Sequence, residues 1–126
     1  MSAVQTGMLL ATLFLARDIT HREHLKTTGT GSYARHSALG SFYSDIIGLA
    51  DSLAEAYQGY YETLLDIPLL AHDNEMAVYD MLRAQLDWIH ENRFDAIPRE
   101  QSAMHNIIDE IEALYMSTLY KLKFLS

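Results

Sequence analysis

Four residues of this 126-residue chain combine types and spacing that suit a metal ion: His24, His36, Asp51 and Glu55. Neutral imidazole nitrogen together with carboxylate oxygen is a donor set for Fe(II), Mn(II) or Zn(II). Asp51 and Glu55 stand one turn apart in GLADSLAEAYQG (48–59), beside an apolar stripe of Leu49, Leu53 and Tyr57. Burying a carboxylate without a partner is costly, so two acids at the edge of a core face need a reason to be there. A rival set consists of short pairs. Asp18 with His21, and Asp87 with His90, each place an acid and an imidazole three residues apart on one helical face. Buried di-iron bundles use i, i+3 pairs on two helices and single carboxylates on the others, but there the acid is Glu. His72 and His105 have no such company, and any single histidine reads first as a surface or satisfied interface residue.

The elements that must position these groups follow from the apolar pattern. Leu9, Leu13, Ala16 and Ile19 recur at helical spacing and predict a first helix from about Val4 to Lys26. TTGTGS (27–32) interrupts it, since paired glycines favour a turn and Thr or Ser can cap the next helix. A second helix from about Ser32 to Tyr60 carries Leu39, Phe42, Ile46, Leu49, Leu53 and Tyr57 on one face. Pro68 breaks the pattern, and Asp73 is placed to cap a third helix defined by Tyr79, Leu82, Leu86, Ile89 and Arg93. RFDAIPRE (93–100) is the next break. Met104, Ile107, Ile111, Leu114, Thr118, Leu122 and Leu125 then mark a fourth helix. Four amphipathic helices predict a single all-α domain over residues 1–126, an antiparallel four-helix bundle. No strand, internal repeat or phosphate-binding glycine loop is visible.

Within one chain the first donor set has a geometric difficulty. His36 and Asp51 share a helix and lie 15 residues apart, about 22 Å at 1.5 Å per residue. They cannot hold one ion in cis. A second copy related by a two-fold axis and running antiparallel brings its acids to this chain's histidines, and an isologous dimer builds two equivalent sites. Helix stripes beside the main face, with Tyr43, Ile47 and Ala54, also ask for a covering partner.

That arrangement resembles the Dps family of mini-ferritins, which is ferritin-like and keeps its ferroxidase site across a two-fold interface. The motif here is His24, Gly29 five positions later, His36 twelve after the first His, Phe42 six further on, and the run DSLAE from Asp51 to Glu55. The resemblance implies Fe(II) bound by His24 and His36 of one chain and by Asp51 and Glu55 of the other, with Glu55 as bridging carboxylate. It also implies oxidation by peroxide or dioxygen and a hollow cage, commonly a dodecamer, that stores ferric iron. Leu25 stands where the family commonly has Trp, and Gly40 where many members place an extra acid one turn after the second His. The basic N-terminal arm that many members use on DNA has no counterpart in MSAVQTGM (1–8).

Composition narrows the alternatives. The chain is 49% hydrophobic with two prolines, which fits a packed helical domain rather than disorder. It has no cysteine, so no disulfide framework, thiolate nucleophile or zinc finger is possible. A formal net charge of −8 disfavours nucleic acid and suits metal cations or plain solubility. The apolar run Met8–Ala16 is far too short to span a membrane, and no basic residue precedes it as in a signal peptide, so the expected location is cytoplasmic. Two readings follow. One is an intersubunit metal site with ferroxidase chemistry. The other is a non-enzymatic oligomeric bundle for assembly or interaction, in which Asp51 and Glu55 form salt bridges with Arg22 or Arg35 of a neighbour and the tyrosines simply pack.

Overall fold

The computed structural model describes residues 3–72 and 75–125, and they form four helices. Helix α1 spans Ala3–Lys26, α2 Ser32–Tyr61, α3 Val78–Ala96 and α4 Ser102–Phe124. No strand occurs among the described residues. The apolar stripes read from the sequence for the first three helices are the faces that meet: Leu9, Leu13 and Ala16 of α1, Leu39, Phe42, Ile46 and Leu53 of α2, and Leu82 and Ile89 of α3 are all buried. On α4 the expected Met104, Ile111 and Thr118 are buried, but the face is completed by Ile108 and Tyr115, while Ile107, Leu114 and Leu122 are only half-buried and Leu125 is exposed. Burial of these side chains, at about 1.5–3 kcal/mol each, is the main stabilisation of the bundle. Leu49 is only half-buried, because it sits at the α2–α4 seam next to Asp45 and Ser52.

Neighbouring helices run antiparallel throughout. Thr6 at the start of α1 donates from Oγ1 to the Ala96 carbonyl at the end of α3, 3.1 Å away. His24 near the end of α1 meets His36 near the start of α2. Phe42 of α2 lies against Tyr115 of α4, and Gln85 of α3 accepts from the Tyr115 hydroxyl at 2.9 Å. Burial pushes that hydroxyl well above the ordinary tyrosine range, so it stays a neutral donor. Since α2 and α3 both oppose α1, these two diagonal helices are parallel. The connection between α2 and α3 must therefore return along the length of the bundle, longer in reach than a simple hairpin turn. Residues 63–72 run in non-helical form over α1, with Ile67 and Leu65 packed inward.

Local chemistry explains the corners. In the α1–α2 turn Gly29 (φ 95°) and Gly31 (φ 77°) both adopt left-handed backbone, which only glycine takes without strain. The α2 N-cap is Gly31 itself, with no side-chain cap bond, so the expected Ser or Thr cap is not used. Asp73, the expected cap of the third helix, lies outside the described residues. That helix begins at Val78 with Ala77 as its N-cap and no side-chain cap bond. Gly7 of α1 faces the backbone carbonyl of Asp66 so closely that a Cβ there would collide with it. The crossover thus rests directly on α1.

Candidate metal centre

The α1–α2 corner brings His24 and His36 together. Their rings stack with centroids 3.6 Å apart and planes 23° from parallel. Each ring also reaches the other's main chain: His24 Nδ1 lies 2.7 Å from the His36 carbonyl oxygen, and His36 Nδ1 lies 3.0 Å from the His24 carbonyl oxygen. A carbonyl oxygen only accepts, so both Nδ1 atoms must carry hydrogen and donate. In the neutral rings each Nε2 is then a bare lone pair. That is how metal-binding imidazoles are prepared, with one nitrogen tied to a backbone acceptor and the other left basic. Both residues are half-buried. Tyr43 of α2 packs its ring edge-on to His24 at 5.2 Å and stacks on His21 at 4.1 Å.

Asp51 and Glu55 lie further along α2 and are exposed. Neither makes an ion pair or side-chain hydrogen bond within the described residues. The structure therefore brings together the histidine half of the set and leaves the acid half apart, as the 15-residue separation requires. Among the described residues no group of three or more His, Asp or Glu side chains gathers tightly enough to hold a metal within one chain. The salt-bridge alternative through Arg22 would need that side chain to leave Asp18, to which its Nε donates at 2.8 Å.

The rival set is not assembled. Met8 and Thr12 of α1 line the same grooves as Gln85 and Trp88 of α3, so His21 and His90 extend toward opposite ends of the bundle, roughly 15–20 Å apart along its axis. Each member has another partner: Asp18 has Arg22, His21 has Tyr43, Asp87 has Arg83 at 3.7 Å, and His90 has Glu112 at 3.0 Å.

That last contact belongs to a polar cluster at the α3–α4 corner that the sequence reading passed over. Arg93 is 5% exposed, and Glu112 also 5%. The guanidinium donates to Glu112 Oε2 at 2.9 Å, to the His105 carbonyl at 2.7 Å and to His105 Nδ1 at 3.1 Å, and it pairs with Asp109 at 2.8 Å. His105 Nε2 in turn donates to the Ile97 carbonyl at 3.0 Å. The signal was present as Arg93 on the apolar stripe four residues after Ile89. A charge at a core position implies a buried acid opposite, and Glu112 beside Ile111 is that acid.

Fold and site define a class: a four-helix bundle with one long crossover and an intrachain pair of prepared histidines. A family profile matches residues 24–122, well over half of the chain. The chain belongs to that family, described as a family of unknown function (DUF5856). No curated protein and no solved structure matches the chain.

Proposed function

We propose that this protein binds Fe(II) between two copies of itself and oxidises it, as a mini-ferritin-like ferroxidase able to store the ferric product in a larger assembly. The observation that carries the reading is the His24–His36 pair, whose reciprocal Nδ1 donation leaves Nε2 as the basic nitrogen of each neutral ring. Two further features support it. A bundle with one long crossover is the ferritin-like topology. His36, Gly40, Ile47 and Asp51 recur at spacings of four, seven and four, so they share one stripe of α2, with Glu55 a turn beyond. A two-fold axis near the middle of that stripe lays each copy's histidines beside the other's carboxylates, and such an axis also permits a dodecameric cage.

Fe(II) is the substrate, and Mn(II) or Zn(II) fits the same donors. The imidazoles hold the ion in its ferrous form. Asp51 and Glu55 add negative charge and hard oxygen donors, which favour the ferric product, so peroxide or dioxygen removes the electron more easily. Glu55, the carboxylate one turn beyond Asp51, is placed as the bridging group. The competing reading, an inert assembly protein, draws on the fact that one chain alone gathers too few ligands among its described residues.

Complementation in trans separates these readings. One variant carries His24→Ala and His36→Ala; the other carries Asp51→Ala and Glu55→Ala. Each alone should lose iron oxidation, because every site lacks half its ligands. Co-refolded, the mixed dimer regains one intact site of two, so it should recover up to about half of the wild-type activity. Mixed dimers that form yet stay inactive would defeat the two-fold site.

A further inference from the structure

We propose that the α3–α4 face holds a binding groove for a small anionic amphiphile, an alkyl or aryl body with a carboxylate or phosphate head. The proposal stands independently of the metal centre. The groove, about 310 Å³ in volume, runs between the first half of α3 and the last turns of α4. Leu86 and Leu119, both buried, form its floor. Met116, Tyr120 and Phe124 wall it, yet they are 54%, 57% and 66% exposed. The Tyr120 and Phe124 rings lie against each other, centroids 5.6 Å apart. Small-molecule sites have this make-up: about 300–1,000 Å³, mostly apolar and aromatic, with a few polar groups that orient the ligand.

The polar groups here are cations. Arg83 and Lys123 both line the groove. Asp87 lies 3.7 Å from Arg83, but both side chains are more than half exposed, so that pair yields readily to a better acceptor. Lys123 makes no ion pair among the described residues; its ammonium stands 5.8 Å over the Phe124 ring. Residues 116–125, MSTLYKLKFL, carry two lysines and no acid in a chain of net charge −8. An apolar floor under two unsaturated cations selects a ligand with an apolar body and a negative head. The grooves along α1 are apolar too, but no Lys or Arg lines them, so nothing there selects a head group. A second copy placed on this face by a two-fold axis would set Arg83 and Lys123 against their own images. An anionic bilayer would repel the rest of the chain. The face also lies opposite α1 and α2 across the bundle, so a two-fold contact on the α2 stripe leaves it open.

Titration calorimetry of the full chain with decanoate, decylamine and 1-decanol presents one tail with three heads. Decanoate should saturate at one per chain. The other two should bind about 10-fold more weakly, the size of two partly exposed charge contacts. Arg83→Gln with Lys123→Gln should erase the preference for decanoate. Tyr120→Ala with Phe124→Ala should weaken all three ligands. Lys26→Gln, at the end of α1, should bind as wild type does. All these side chains are exposed or half-buried, so helix content should stay at the wild-type level. Equal binding of the three heads overturns the proposal, as does unchanged decanoate binding by the double Gln variant. Failure of decanoate to saturate the protein up to about 1 mM does the same. A fall in mass on light scattering for Phe124→Ala would make this face a contact between copies. Retention by phosphatidylglycerol vesicles of a protein that ignores free decanoate would make it a membrane contact. Either result also overturns the proposal.

Discussion

Single residues decide where backbone and rings can approach one another, and two glycines show opposite signs of one substitution. Gly7 carries the crossover, because the Asp66 carbonyl lies where its Cβ would be. Gly7→Ala should therefore lift residues around Asp66 off α1 and cost about 1–3 kcal/mol, the range for overpacking a tight contact. Gly59 faces open space near the end of α2, so Gly59→Ala should gain up to about 1 kcal/mol from helix propensity. Urea unfolding of both variants checks the pair; equal and opposite shifts are not required, but shared signs would refute the contact. At the same scale, both ring nitrogens of His105 are held by hydrogen bonds. Its Nδ1 accepts from Arg93 while Nε2 donates to Ile97, which places it in the fold rather than in any metal chemistry.

At the scale of elements, the α3–α4 corner is held by charge where the rest of the bundle is held by apolar packing. Arg93→Ala leaves the Glu112 carboxylate buried with only His90 for company, and should cost about 3–5 kcal/mol. Glu112→Ala leaves the guanidinium with the exposed Asp109 and should cost less. Replacing both with Met should recover most of the loss, because neither charge is then stranded. Thermal unfolding of the three variants measures the coupling, and additive losses would contradict the network. This corner also shows what the sequence hid. The helices were legible, because stripes such as Leu9–Leu13–Ala16 and Phe42–Ile46–Leu53 have one periodicity and one way to be buried. The His24–His36 spacing was legible too, since a short turn between two helices must bring those positions together. The placing of the His24 ring against Gly40 was not, because nothing in spacing reveals which side chain fills a neighbour's missing Cβ. Nor was the true start of α3, where no side-chain cap marks Val78, or the return path of residues 63–72 over α1, which depends on helix order rather than on local pattern.

The whole molecule combines a self-sufficient core with an unfinished outer face. Leu9, Leu39, Phe42, Ile46, Leu82, Ile108 and Tyr115 are all buried within one chain, so a single copy has enough apolar burial to stay folded. No helix among the described residues is long and apolar enough to cross a membrane. Yet Leu25, 72% exposed, and Ile47 stand at the surface beside the histidine pair and the α2 stripe, where the proposed two-fold contact falls. With −8 formal charges per chain, copies repel one another at long range, so only a close apolar contact can hold them. The same charge gives duplex DNA no counterion release to exploit, and a gel shift at 150 mM salt should show no complex. Ile47→Asp adds a further negative charge from each copy near the axis and buries it without a partner. Light scattering should give wild type an even multiple of 14.3 kDa and give Ile47→Asp the single-chain mass. Far-ultraviolet circular dichroism should remain as helical as wild type, since Ile47 lies outside the core. The monomer keeps its own His24–His36 pair but lacks the second copy's acids, so it should lose iron oxidation while still folding. A helical monomer that oxidises Fe(II) at the wild-type rate would show that the site is built within one chain, and the two-fold reading would fail.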